Sequence, residues 1–213
     1  MSHWGFLILS LLSCSNLKKE NSTKVSEPIE YTELDKSKKL VFQGEDIKIS
    51  NVARSFYDWY INLRLHSDSL IALDIAKGVD NNCTLKNFDN YLNSLKSIGT
   101  LSDNFIDSEY KRLLNCKEYL ENSSWCFCDT STFNEVTDDT PCENTFNYWL
   151  YNTQELIDDF EIIKYIHTDT SVYVVIAFYT ISNNERYEQY FEAEEYLIKE
   201  GDKWLIDKIV TRR

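Results

Sequence analysis

Residues 161–210, EIIKYIHTDTSVYVVIAFYTISNNERYEQYFEAEEYLIKEGDKWLIDKIV, decide the fold of this chain. Val, Ile, Tyr and Phe dominate four runs of this segment, and such runs are typical of strands. We predict strands at Glu161–His167, Ser171–Ser182, Tyr187–Lys199 and Lys203–Val210. The connections around Asp169, Asn183 and Gly201 are short and contain turn residues. Short hairpin connections imply antiparallel neighbours, so the sequence predicts a C-terminal antiparallel sheet of about four strands.

Upstream of the sheet, apolar residues recur at helical spacing. Phe56 and Leu63 fall on one face of a predicted first helix that has Ser50 as its N-cap. We predict helices over residues 51–65, about 84–97 and about 103–121, a loop over 122–145 and a helical turn near 146–156. Helices that precede a block of strands predict an α+β fold, with the helices packed against the sheet.

Two of these elements resemble a known family. Phe56-Tyr57-Asp58-Trp59-Tyr60 resembles the Phe-Tyr-x-Trp-Tyr signature of domain-of-unknown-function family 3828, which contains bacterial lipoproteins and secreted proteins. Residues 200–209, EGDKWLIDKI, resemble the closing strand of that family and of the wider nuclear-transport-factor-2-like superfamily. The resemblance implies a cone, in which a curved sheet wraps around helices and often leaves a cavity. It further implies Trp59, Tyr60 and Trp204 as candidate lining residues of that cavity, and it carries no established activity.

The first residues have the features of an export signal. Residues 4–12 are almost entirely apolar, but the run is far shorter than the roughly 20 residues that span a bilayer. Leu11-Leu12-Ser13-Cys14 resembles the lipobox of bacterial lipoproteins, which implies lipid attachment at Cys14. Ser15 to about Gly44 is polar and charged, as expected of a flexible tether. We therefore predict a signal peptide at 1–13, a lipidated cysteine and tether at 14–44, and an α+β domain at 45–213.

This organisation predicts a location and excludes one class of partner. A lipid anchor places the protein in the cell envelope, on a bacterial membrane and most simply the outer membrane, with its domain in the periplasm or at the cell surface. The net charge is −13 and the pI about 4.7, without the basic stripe that nucleic-acid binding requires. The expected partners are the membrane, through the lipid, and a protein or small molecule.

Five cysteines follow the lipobox cysteine, and an exported protein meets an oxidising compartment in which disulfides form. These candidates, whose pairing the sequence leaves open, are Cys83, Cys116, Cys126, Cys128 and Cys142. Cys126 and Cys128 are too close along the chain to pair readily with each other. The alternative, a thiolate metal site, lacks the paired Cys-x-x-Cys units of structural zinc sites. We therefore expect disulfides and no metal.

The sequence contains no recognisable catalytic motif, and no cofactor is expected. His66 and His167 are interpreted as surface or capping residues. In the acidic run 192–195, strand alternation places Glu194 and Glu195 on opposite faces of the sheet. We name Glu194 as a further candidate for the pocket lining.

Three functions remain in competition. The favoured one is a non-enzymatic binding or interaction module anchored to the envelope. The second is a cone-fold enzyme or small-molecule binder that uses a carboxylate in an aromatic pocket, with Glu194 and Asp207 as the first carboxylates to test. The third is an inhibitor or immunity-type protein with an acidic face.

Overall fold

The computed structural model describes residues 40–65, 72–78, 82–122, 140–142, 148–151 and 156–213. The fold is α+β, as predicted: three helices pack with a C-terminal four-stranded antiparallel sheet that is open and not a barrel. The helices are α1 (Glu45–Leu65), α2 (Phe88–Ser97) and α3 (Asp103–Asn122). The strands are β1 (Asp74–Lys77), β2 (Cys83–Lys86), β3 (Asp159–His167), β4 (Ser171–Ser182), β5 (Glu185–Glu200) and β6 (Lys203–Arg212).

The large sheet is a meander in the order β3-β4-β5-β6, with every neighbouring pair antiparallel. The β4–β5 turn uses Asn183 and Asn184 at φ 53° and 65°, the left-handed pair that a two-residue hairpin turn requires. Gly201, at φ 60°, performs this role in the β5–β6 turn. The four predicted strands are confirmed, with ends that differ by at most two residues.

One face of the sheet forms the core with the helices. On β4, Val174, Ile176 and Phe178 are completely buried, and the ring of Tyr57 from α1 lies 4.8 Å from that of Phe178. Phe56 contacts the rings of Tyr60, Phe105 and Trp149 in the same cluster. Aromatic rings bury more apolar area than other side chains, so this cluster accounts for much of the packing of α1.

Helix α1 begins earlier than the sequence predicts. It starts at Glu45, directly after Gly44 at φ 58°, and the predicted N-cap Ser50 lies inside it with its hydroxyl donating to the carbonyl of Ile47 at 2.9 Å. The first turn contains two acidic residues, which interact favourably with the positive end of the helix dipole. Leu40 and Phe42, within the predicted tether, pack against the core.

A second correction concerns the start of the second helix. Residues 83–86 form strand β2, which pairs with β1 in a separate hairpin, and α2 begins only at Phe88. Cys83 and Leu85 are buried while their neighbours are more exposed, which is the period of a strand. Asn87, whose φ of 62° is left-handed, separates the end of β2 from the start of α2.

The segment before α3 lies along the free edge of β6. Leu101 forms a parallel bridge with Ile206, whose N–H donates to Thr100 and whose carbonyl accepts from Ser102. The Ser102 hydroxyl caps α3 by accepting the N–H of Phe105 at 3.0 Å, and it donates to Asp207 at 2.7 Å. These contacts join α3 to the sheet.

Cys116 of α3 and Cys142 form a disulfide, one of the pairings that the sequence left open. Cys83 is also disulfide-bonded. Cys126 and Cys128 lie outside the described residues, as do the predicted signal peptide, Cys14 and the tether up to residue 39. Within the predicted helical turn, Tyr148–Leu150 form one turn of 3-10 helix. No helix in the described part of the chain is long and apolar enough to cross a membrane.

Candidate functional site

A groove of about 800 Å³ opens between the N-terminal part of α1 and the C-terminal sheet. Its size is within the range of about 300–1,000 Å³ that is usual for ligand sites. Glu45, Lys48 and Val52 line it from one face of α1, since residues three and four apart in a helix are neighbours. The opposite walls are residues 99–100, between α2 and α3, and residues 202–205 of the β5–β6 hairpin.

Trp204 is the one aromatic side chain among the described residues that line the groove, and several contacts fix its position. Its indole N–H donates to Glu45 at 3.3 Å, and the His167 ring packs edge-on at 5.3 Å. The Lys199 ammonium lies 5.3 Å from the indole centre and 3.4 Å from the Glu45 carboxylate. The hydrogen bond from Trp204, followed by that from Lys199, lowers the pKa of Glu45.

One end of the groove is closed by the chain itself. The hydroxyls of Ser55 and Thr100 lie 2.5 Å apart, which joins α1 to the α2–α3 connection. Immediately beyond Thr100, the Leu101–Ile206 bridge fixes the connection to the edge of β6. The groove is therefore open at the hairpin and blocked at Thr100.

His167 lies behind Trp204 and is held by neighbouring polar groups. Its Nδ1 is 3.1 Å from Asp46 in the first turn of α1, and the Tyr165 hydroxyl donates to the same carboxylate oxygen at 2.7 Å. Burial, followed by this hydrogen bond, raises the pKa of Tyr165. These contacts connect β3 to α1. The other predicted histidine, His66, lies outside the described residues.

Of the three aromatic residues predicted to line a cavity, only Trp204 lines this groove. The Trp59 indole N–H donates to Ser94 at 2.9 Å, and its ring packs against Tyr91 of α2. Tyr60 is buried and stacks on Phe56 with an interplanar angle of 9°. Trp59 and Tyr60 therefore hold α1 against α2 and the core.

The two predicted carboxylates also lie away from the groove. Glu194 projects from the outer face of the sheet, where it accepts hydrogen bonds from Tyr173 at 2.5 Å and Tyr196 at 3.0 Å and pairs with Arg212 at 2.6 Å. Asp207 accepts from Ser102, as described above, and also from Asn104 at 3.2 Å. Both carboxylates are therefore used in contacts between secondary-structure elements. Glu194 joins neighbouring strands, and Asp207 joins β6 to the start of α3.

The sequence interpretation missed a buried carboxyl on the inner face, Glu195. Its exposed fraction is 0%, and neither carboxyl oxygen has a hydrogen-bond partner in the part of the chain that the structure describes. Burial raises its pKa well above the ordinary value of 4.5. Strand alternation places the side chains of Glu194 and Glu195 on opposite faces of the sheet, but it does not show which face is the inner one. The apolar neighbours Ala193 and Leu197, two positions away, are the signal that could have shown it.

A second buried polar cluster also escaped prediction. Glu109 of α3, 2% exposed, accepts from the Tyr91 hydroxyl at 2.9 Å and pairs with the Arg112 guanidinium at 2.7 Å. The indole N–H of Trp149 also lies 3.4 Å from it. Burial, with the charge of Glu109 as the second cause, raises the pKa of Tyr91. The cluster joins α2, α3 and the 3-10 turn.

The groove is better suited to binding than to proton transfer. Its two carboxylates, Glu45 and Asp202, are exposed at the surface, whereas a general acid that works near neutral pH needs a raised pKa. The lowered pKa of Glu45 keeps that group ionised instead. Among the residues that the structure describes, no group of three or more His, Cys, Asp or Glu is arranged to hold a metal ion.

Comparisons with known proteins do not identify the groove: no family model, no curated protein and no solved structure matches this chain.

Proposed function

We propose that this chain is a lipid-anchored envelope protein whose α+β domain is a non-enzymatic binding module. The lipobox-like Leu11–Cys14 and the polar segment that follows it support the anchor. The groove between α1 and β6 supports the binding role, and it is the single observation that carries this proposal. A rigid aromatic wall with charged groups at its rim is the usual composition of a binding site.

The enzyme alternative has one observation in its favour, the buried carboxyl of Glu195. A buried acid with a raised pKa is a common feature of proton-transfer sites. Glu195, however, is not among the residues that line the groove. The binding module therefore accounts better for the groove, and the buried acid is a feature of the core.

The resemblance to domain-of-unknown-function family 3828 and to the nuclear-transport-factor-2-like superfamily is also a proposal. It is supported by the position of its two motifs. Residues 56–60 lie on α1 and residues 203–209 on β6, and side chains of both belong to one hydrophobic core. The two motifs thus belong to the elements that also form the groove walls.

The anchor is tested by producing the full chain in a bacterium that is fed an alkyne-tagged fatty acid. We expect the wild type to carry the label and to sediment with the membranes, and Cys14→Ser to lose both properties. Ser15→Ala is the matched control and should behave as wild type. Membrane sedimentation of an unlabelled wild-type protein would contradict lipidation at Cys14.

The groove is tested by screening small organic fragments for compounds that raise the melting temperature of the protein. We expect hits that lose their effect in Lys48→Trp, because the indole fills the groove. The same hits should keep their effect in Lys111→Trp, an exposed position on α3 outside the groove. Hits that are equally sensitive to both variants, or no hits at all, would contradict a binding role for the groove.

A further inference from the structure

We propose that the groove binds the carboxyl-terminal end of an extended polypeptide, which adds to the edge of β6 as a short parallel strand. This inference rests on the proposed binding function of the groove and names its ligand class. Strand addition to a sheet edge and capture of a terminal carboxylate are both established modes of peptide recognition.

Strand β6 has an open edge beside the groove. β6 is the last strand in the sheet order. The N–H and carbonyl of Ile206 point away from β5, since they bond to Thr100 and Ser102. In an antiparallel pair, residues two apart direct their backbone groups to the same side. Trp204 therefore directs its own N–H and carbonyl to that same edge, and it lines the groove.

The same edge of β6 already pairs with another segment at Ile206, two residues beyond Trp204. Thr100 to Ser102 run parallel to β6 beside Ile206, and Gly99, at φ 73°, turns the preceding chain away from the edge. Among the described residues, none pairs with the backbone of Trp204 at this edge, and Thr100 blocks the edge on the side of Ile206. A polypeptide strand that pairs with Trp204 along this edge of β6 must end at Thr100, so the ligand presents a chain end to the groove.

Strand direction and the charges at the rim of the groove indicate which end of a polypeptide fits. In the parallel direction set by Leu101, the end that meets Thr100 is the carboxyl terminus. The side chains of Lys48 and Lys203 are exposed and make no ion pair with any described residue. No hydrogen bond in the described structure uses the N–H of Thr100. Two ammonium groups and an unused donor favour a carboxylate. Of the two carboxylates that line the groove, Glu45 is already paired with Lys199, and Asp202 lies in the β5–β6 turn, four residues before the Ile206 to which Thr100 bonds.

The test uses the purified full-length protein and an array of random hexapeptides, each in two forms that differ only in a free carboxylate or a carboxamide. We expect a set of sequences to bind in the free-acid form and at least tenfold more weakly as the amide. For one such peptide, titrated in solution, methylation of a single backbone nitrogen near its end should weaken binding at least tenfold. This modification removes the donor to the Trp204 carbonyl without any change in the protein.

Variants of the protein complete the test. Lys48→Glu and Lys203→Glu should each weaken binding of the free-acid peptide at least fivefold, whereas Lys111→Glu should leave it unchanged. Equal binding of acid and amide, or indifference to both groove variants, would overturn the inference. If fragments bind in a Lys48→Trp-sensitive manner and no peptide binds, the inference fails and the proposed binding function stands. If neither binds, both fail.

Discussion

At the scale of single residues, Glu195 is the position at which sequence and environment disagree most. It lies between Val174 and Ile209 of the neighbouring strands, and burial excludes water from both of its oxygens. An ionised carboxylate in such a place is strongly unfavourable, so the group stays protonated when the chain folds. The fold therefore takes up a proton at pH values at which the unfolded chain has released it.

We expect Glu195→Leu to raise the free energy of unfolding by about 1–3 kcal/mol at pH 7, because it removes a buried polar group without a partner. The difference in free energy of unfolding between Glu195→Leu and the wild type depends on pH. Below the ordinary pKa of 4.5, both states of the wild type are protonated and its stability is not reduced by ionisation. As the pH rises above that value towards the raised pKa of the folded state, the wild type loses stability that the variant keeps. Urea unfolding between pH 4 and pH 8 measures this.

Glu192→Gln removes a carboxyl from the opposite face of the same strand and is the matched control. A wild type whose stability does not fall relative to Glu195→Leu as the pH rises would show that Glu195 is hydrated or paired in solution. Glu195→Gln provides an independent check, because it keeps the shape of the side chain and should abolish the same pH dependence.

At the residue scale, the predicted candidates divide between the groove and other parts of the fold. The resemblance implies Trp59, Tyr60 and Trp204 as lining residues of a cavity, and of these three Trp204, the second residue of β6, is the one that lines the groove. The candidate carboxylate is Glu194, which is 8% exposed and pairs with Arg212 on the outer face, whereas Glu195 is 0% exposed on the inner face. Alternation shows that the two side chains point in opposite directions, but only the packing of α1 determines which direction is inward.

At the scale of elements, the Glu109 cluster holds α2, α3 and the 3-10 turn in one arrangement. We expect Glu109→Gln to lower the free energy of unfolding by about 2–4 kcal/mol, because it removes the buried charge that pairs with the partly buried Arg112 guanidinium. Glu121→Gln, which breaks an exposed pair with Lys117 on the same helix, should cost about 0.5 kcal/mol or less. Similar losses in the two variants, measured by urea unfolding, would contradict this role for the cluster.

The elements themselves were predictable to different degrees. The four C-terminal strands follow from β-branched and aromatic runs that end at turn residues, a local signal. The β1–β2 hairpin did not follow, because strands of four residues have too few positions to show a period. The early start of α1 depends on acidic residues in its first turn and on packing of Leu40 and Phe42, which periodicity does not detect.

At the scale of the whole molecule, the Cys116–Cys142 disulfide joins α3 to a segment 26 residues away. Restriction of the unfolded chain by a loop of this size stabilises a fold by about 3 kcal/mol. We therefore expect the double variant Cys116→Ala/Cys142→Ala to lose about 3 kcal/mol in urea unfolding without reductant. An unchanged stability would show that the bond does not form in the purified protein. The sequence indicated the disulfide chemistry but not the pairing, which depends on how the helices pack.

We propose the groove between α1 and β6 as the binding site of a lipid-anchored protein. The most direct test is to place a photo-crosslinking amino acid at position 48 of the full-length protein in the living cells that naturally produce it. Position 111 on α3 serves as the control. The proposal predicts a discrete crosslinked adduct from position 48 that position 111 does not give. No adduct from position 48, or the same adducts from both positions, would contradict it.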